Sequence, residues 1–159
     1  MNPDSPSDLV NDYCARGVFR ATPLVPAKGE TAAWQLHWFG GHVMRLALKA
    51  DQVTLLPVLP PLSARSALYR ELRTWLRKQQ SADLPPHRRL DPARMALRTQ
   101  NHRGDIETRL QSGFESPGSL TRHAIQLINA LYHEFLNGPG RLEWIIEAFG
   151  LDADNPRLA

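Results

Sequence analysis

The stretch Trp34–Leu48, WQLHWFGGHVMRLAL, decides the fold of this 159-residue chain. On each side of Gly40-Gly41 apolar side chains alternate with polar ones, which is the pattern of half-buried strands. A two-residue loop would set Leu36 opposite Arg45 and mix apolar with charged side chains, whereas a three-residue loop over 40–42 gives one apolar face. We therefore predict the second register, which pairs Trp38 with Met44, Leu36 with Leu46 and Trp34 with Leu48.

The segments on both sides of this hairpin predict further strands and covering helices. Residues 31–58 form one antiparallel meander, and residues 94–112 form a second hairpin that turns at Arg103-Gly104. A strand over 18–25 precedes them and, because of Pro23, lies at a sheet edge. One apolar sheet face requires helices to cover it, and apolar residues at helical spacing predict them over 8–16, 64–79, 120–137 and 141–149.

These elements predict a single α+β domain with an antiparallel sheet. A chain of 159 residues is long enough for one complete core. We expect a disordered tail over 1–7, the domain over 8–150 and a frayed tail over 151–159. The apolar side chains beside Trp34 and Trp38 favour a buried core for that face; the alternative is a stacking platform for nucleic-acid bases.

The motifs of the common enzyme classes are missing from the sequence. His133-Glu134 is followed by Asn137 where a zinc-protease motif needs its second histidine. The chain has no glycine-rich phosphate loop and no nucleophile elbow, and the lone Cys14 excludes an intramolecular disulfide. We therefore assign no catalytic, cofactor-binding or metal-binding residue, and we expect a cytoplasmic protein with no cofactor and no membrane-spanning segment.

Basic side chains are concentrated in the middle of the chain. The net charge is +3, but residues 63–109 carry eleven Lys and Arg against five Asp and Glu. Within the helix over 64–79 three arginines fall on one face, and Arg88-Arg89 follow in the connector. This surface could contact an anion or nucleic acid, or it could be an ordinary solvated helix face. The candidate contact residues are Arg70, Arg73, Arg77, Arg88 and Arg89.

The helix over 120–137 has an apolar face that spans about half of its circumference. We expect so wide a face to exceed what one sheet covers, which would leave Ile125, Tyr132 and Leu136 as a partner surface. The partner would be another protein or a second copy of this chain, bound through exposed sheet edges or helix faces. The first functional hypothesis is accordingly a non-enzymatic interaction module that forms a homodimer.

The order of elements resembles that of small dimeric secretion chaperones, which run α-β-β-β-α-β-β-α, over residues 8–137. This resemblance implies a chaperone- or adaptor-like role in protein binding. A nucleic-acid-binding protein is the alternative. A small-ligand binder or enzyme, with a pocket under the sheet and His37, His102 or Glu107 at its rim, is the third hypothesis.

Overall fold

A computed structural model describes residues 5–138 and 140–150. The predicted tail over 151–159 and most of the predicted N-terminal tail lie outside the described residues. The described elements are α1 (Pro6–Ala15), β1 (Arg20–Leu24), β2 (Ala32–Phe39), β3 (His42–Lys49), β4 (Gln52–Leu56), α2 (Ala67–Lys78), β5 (Ala96–His102), β6 (Asp105–Gln111), α3 (Pro117–Ala130), a π-helix (Leu131–Phe135) and α4 (Leu142–Phe149).

The strands form one six-stranded sheet in the order β1-β2-β3-β4-β6-β5, and every neighbouring pair is antiparallel. The α+β fold class is therefore as predicted from the sequence. Strand β1 lies at one edge, where Pro23 can be accommodated because an edge strand leaves one row of N–H groups unpaired. Strand β5 lies at the other edge and pairs only with β6 among the described residues.

The predicted register of the first hairpin is wrong by two residues. Trp34 pairs with Leu46 rather than with Leu48, and Leu36 pairs with Met44. The turn is the two-residue one, and an irregularity between His37 and Phe39 shifts the register. Such a bulge adds one residue to β2, so apolar residues again oppose apolar ones behind a tight Gly40-Gly41 turn. The predicted apolar face is confirmed.

The predicted register of the second hairpin is confirmed. Leu97 pairs with Leu110 and Thr99 with Thr108. Arg103 and Gly104 both have positive φ angles, of 55° and 102°. A two-residue turn with positive φ at both positions matches the right-handed twist of the strands that it joins.

The helices cover one face of the sheet, and the other face is open. Trp34 and Trp38 are buried in the covered face, as predicted. The Trp38 ring lies 4.9 Å from the ring of Phe19 and 5.6 Å from that of Tyr132. The open face carries Arg45 and other polar side chains. No helix in residues 5–138 or 140–150 is long and apolar enough to cross a membrane.

A serine caps the N-terminus of each of the first three helices. The side chains of Ser5, Ser66 and Ser116 accept hydrogen bonds from backbone N–H groups at the starts of α1, α2 and α3. Helix α1 consequently begins at Pro6, inside the predicted disordered tail. The last predicted helix is nearly unchanged, and Gly150 ends it in the left-handed conformation, with φ of 67°.

The wide apolar helix does not leave a partner surface in the folded chain. Ile125, Tyr132 and Leu136 are only 1%, 3% and 1% exposed. The helix changes at Leu131 into a π-helix, and its broad face packs on the sheet, on α1 and on the aromatic side chain of Phe149. The expectation that these three residues face a partner is therefore corrected: several elements together bury them.

Candidate binding surfaces

Helix α2 separates its apolar and basic residues onto opposite sides. Tyr69, Leu72 and Leu76 are buried against the domain, and their spacing of three and four residues is that of a core-facing helix side. The opposite side carries exposed cations, which we call the basic ridge: Arg70, Arg73, Arg77 and Lys78.

The cations of the basic ridge have no carboxylate within ion-pair distance among the described residues. The Arg73 guanidinium lies 6.0 Å from the centre of the Tyr69 ring. Arg77 donates a long hydrogen bond of 3.5 Å to the Thr74 hydroxyl. Since the charges are not neutralised within the domain, the ridge presents a positive field to an approaching anion.

A groove separates the basic ridge from the edge strand β5. It has a volume of about 170 Å³, with Arg73, Leu76 and Arg77 on one side and Leu97 and Thr99 of β5 on the other. No backbone group of residues 96–102 bonds outside the pairing with β6, within the part of the chain that the structure describes. The outer row of β5 N–H and C=O groups is therefore free to pair with another strand.

A second groove, of about 570 Å³, lies on the other side of α2 and contacts the π-helix. The rings of Trp75 and Phe135 lie there, with their centres 6.1 Å apart. Arg141 packs over Phe135 at 4.2 Å and donates a hydrogen bond of 2.9 Å to the Glu71 carboxylate. The one acidic residue of α2 is therefore already paired.

Arg88 and Arg89 do not line either of these grooves. Arg88 forms an ion pair with Glu134, and an Nη of Arg89 donates to the Leu84 carbonyl at 2.9 Å. Both line a separate cavity between the connector and α3. The five arginines predicted as one contact surface thus divide into the three of the ridge and these two.

The open sheet face holds the histidine and carboxylate named for the third hypothesis. His102 and Arg109 contact the two carboxylate oxygens of Glu107, at 2.7 Å and 3.0 Å. Burial acts to raise the pKa of Glu107, but these two hydrogen bonds outweigh it and keep the pKa below its usual value. Arg98 opposes Arg109 across the strands, and Glu107 offsets the charge of Arg109.

Two features were missed in the sequence: the groove beside β5 and the cavity at Arg88. The groove beside β5 exists because β6 lies between β4 and β5 and leaves β5 at the sheet edge. The sequence of each hairpin does not indicate this order of strands. The cavity at Arg88 had a weak signal, the run His87-Arg88-Arg89. No group of three His, Cys, Asp or Glu within the described residues could hold a metal ion.

Comparison of the chain with protein-family models, with curated proteins and with solved structures gave no match.

Proposed function

We propose that this protein is a non-enzymatic interaction module that binds an extended, acidic segment of another protein along β5. The open edge of β5 beside the basic ridge carries this proposal. An extended peptide can add to such an edge as a further strand, with main-chain hydrogen bonds supplying affinity and side-chain pockets supplying specificity. A cytoplasmic setting, consistent with the lone Cys14, is part of the proposal.

The charge around the groove selects the chemistry of the partner. Arg73 and Arg77 line the groove and have no carboxylate partner among the described residues. Alternate side chains of an added strand lie on the same face, so a strand of alternating acidic and apolar residues can direct all its acidic side chains to the arginines of the groove. A second copy of this chain fits β5 less well, because pairing two β5 strands would bring two sets of these arginines together.

The test uses a fluorescein-labelled peptide of alternating Glu and Val, with fluorescence anisotropy as the readout. We expect saturable binding that weakens as salt increases. The double variant Arg73→Gln/Arg77→Gln should weaken binding about tenfold, because each exposed ion pair contributes up to about 1 kcal/mol. Arg20→Gln/Arg65→Gln removes the same charge from exposed positions outside the groove and should leave binding unchanged.

Chemical changes to the peptide test the strand pairing without altering the protein. Methylation of alternate backbone nitrogens removes the donors on one edge of the peptide, so binding should be lost for the pattern whose N–H groups face β5. Equal binding by both methylated patterns and by the unmodified peptide would contradict strand addition. A Lys-Val peptide that binds as tightly as the Glu-Val peptide would contradict the role of the arginines.

Nucleic-acid binding is the second candidate, and the lack of carboxylate partners for the basic ridge favours it. In that case duplex or single-stranded probes bind at low salt, and the affinity falls steeply as salt rises. Replacing Arg70, Arg73 and Arg77 together by alanine should weaken binding to all sequences.

The measurement that separates the two candidates is light scattering of protein purified at low salt, together with its ratio of absorbance at 260 and 280 nm. A high ratio that nuclease lowers would favour nucleic acid, and a discrete complex with a second polypeptide would favour the interaction module.

A further inference from the structure

A polar cavity of about 270 Å³ lies between the connector that follows α2 and one face of α3. The connector contributes His87, Arg88 and Arg89. Helix α3 contributes His123 and Gln126, which lie three residues apart and therefore on the same side of the helix. The cavity is distinct from the groove beside β5, which is lined by other residues.

Backbone hydrogen bonds hold the connector wall in place. The Leu90 N–H donates to the Gln79 carbonyl at 2.8 Å, and the Arg88 N–H donates to the Pro85 carbonyl at 2.9 Å. The Arg89 side chain donates to the Leu84 carbonyl and so ties the connector to itself. A wall that is fixed before a ligand arrives reduces the entropy lost on binding.

The cavity is lined by two arginines and two histidines, and no carboxylate is among its lining residues. Two carboxylates act on the lining residues from outside the cavity: Glu134 pairs with Arg88, and the charge of Glu115 acts on His123. The Nε of Arg89 is buried and has no hydrogen-bond partner within the described residues. A buried donor without an acceptor is costly, so the Arg89 side chain is incompletely satisfied within the domain.

His123 lines the cavity as a neutral imidazole, because its surroundings disfavour the charged form. Burial lowers its pKa, the charge of Glu115 opposes that effect, and Arg122 adds to it. A neutral imidazole at neutral pH offers one N–H donor, and the Gln126 amide offers a further donor. A phosphate monoester has three terminal acceptor oxygens, against two in a carboxylate, and so can accept from both walls of the cavity.

We propose that this cavity binds a compact phosphate group, either free inorganic phosphate or the phosphate of a small monoester. Arginine forks match phosphate oxygens in geometry and charge. The volume is below the range typical of drug-sized ligands, which limits the ligand to a phosphate with a small organic group. Leu90 and Leu127 also line the cavity and provide apolar contact for such a group.

Isothermal titration calorimetry with inorganic phosphate and with phenyl phosphate, at constant ionic strength, tests the proposal. We expect one saturable site for at least one of the two probes. Tighter binding of phenyl phosphate identifies a monoester as the ligand class, and tighter binding of inorganic phosphate identifies the free ion. Absence of saturable heat with both probes up to about 10 mM, which corresponds to an affinity too weak for a specific site, would overturn the proposal.

Variants with opposite expected effects distinguish phosphate binding at this cavity from a general effect of the protein's net charge. Arg88→Gln removes a positive charge and His123→Leu removes an N–H donor, so each should weaken phosphate binding about tenfold. Glu134→Gln releases Arg88 from its ion pair and should strengthen binding. Arg98→Gln removes one charge from the open sheet face and should leave binding unchanged. Weakening by Arg98→Gln equal to that by Arg88→Gln, or weaker binding by Glu134→Gln, would refute a site at this cavity.

Discussion

Replacing Glu30 by glutamine should destabilise the fold at neutral pH and have little effect in strong acid. Both carboxylate oxygens of Glu30 accept hydrogen bonds from the Arg45 guanidinium, at 2.6 Å and 2.7 Å, and one also accepts from the Ala27 N–H at 2.8 Å. The hydrogen bonds from Arg45 are the main cause that lowers the pKa of Glu30 to about 2, while burial opposes them. This pair ties the loop before β2 to the middle of β3.

The lowered pKa sets the size and the pH range of the effect. A carboxyl whose pKa falls from 4.5 to about 2 on folding contributes at most about 3 kcal/mol. The Arg45 side chain is 36% exposed, so solvent screening reduces the expected contribution to about 2 kcal/mol. That contribution is complete above pH 4.5 and is lost as the pH falls from 4.5 towards 2.

Urea unfolding followed by circular dichroism at pH 7 and at pH 2.5 measures this contribution. At pH 7 we expect Glu30→Gln to lose about 2 kcal/mol, which for a chain of this length lowers the melting temperature by about 4–8 °C. At pH 2.5, just above the folded-state pKa, the difference should fall below about 1 kcal/mol. Glu71→Gln is the control: its side chain is 58% exposed, and its loss should cost under about 1 kcal/mol. Equal stability of Glu30→Gln and the unchanged protein at pH 7 would refute the reasoning.

Two further substitutions probe the buried side of the domain. Tyr132→Phe removes a buried hydrogen bond of 3.2 Å to the Val58 carbonyl and should cost about 1 kcal/mol in urea unfolding; a change near zero would contradict the interior position of Tyr132. Burial lowers the pKa of His42 despite its contact with the Pro57 carbonyl, so the folded state resists protonation and loses stability as the pH falls below 6.5. Urea unfolding of the unchanged protein and of His42→Gln, from pH 7.5 to pH 5.5, tests this effect. The unchanged protein should lose stability relative to the variant as the pH falls. A constant difference would contradict the lowered pKa of His42.

The first hairpin shows how far alternation alone predicts a fold. The pattern identified the buried face correctly, because a strand's side chains point to opposite faces in turn. It did not identify the partner of each residue, since a bulge between His37 and Phe39 changes the register and leaves the same residues on the same face. The second hairpin contains no such irregularity, and its turn residues Arg103-Gly104 were enough to predict its register, including Leu97 with Leu110 and Thr99 with Thr108.

The misassigned partner surface has a different physical cause. Periodicity shows how wide an apolar face is, but it does not show how many elements converge on it. Helix α3 contacts α1, β4 and β6, and the following π-helix redirects Tyr132 towards Trp38 and Phe149. A single-helix pattern therefore overestimates the exposed area whenever distant segments share one core.

The candidate sites were predictable only where they depend on one element. The basic ridge follows from helical spacing within α2, and the sequence predicted its three arginines. The groove beside β5 depends on strand order, and the cavity depends on the connector folding back on α3. Contacts between residues distant in sequence leave no local pattern, which is why Arg88 and Arg89 were grouped with the wrong surface.

The two edges of the sheet differ in how well each can pair with a further strand. Pro23 deprives the β1 edge of a donor, whereas β5 contains no proline and keeps its full outer row of backbone groups. If β5 accepts a strand as we propose, the far edge offers a poorer template for a further one. The positions of one proline and one open edge would then favour a single partner per chain over a growing fibre.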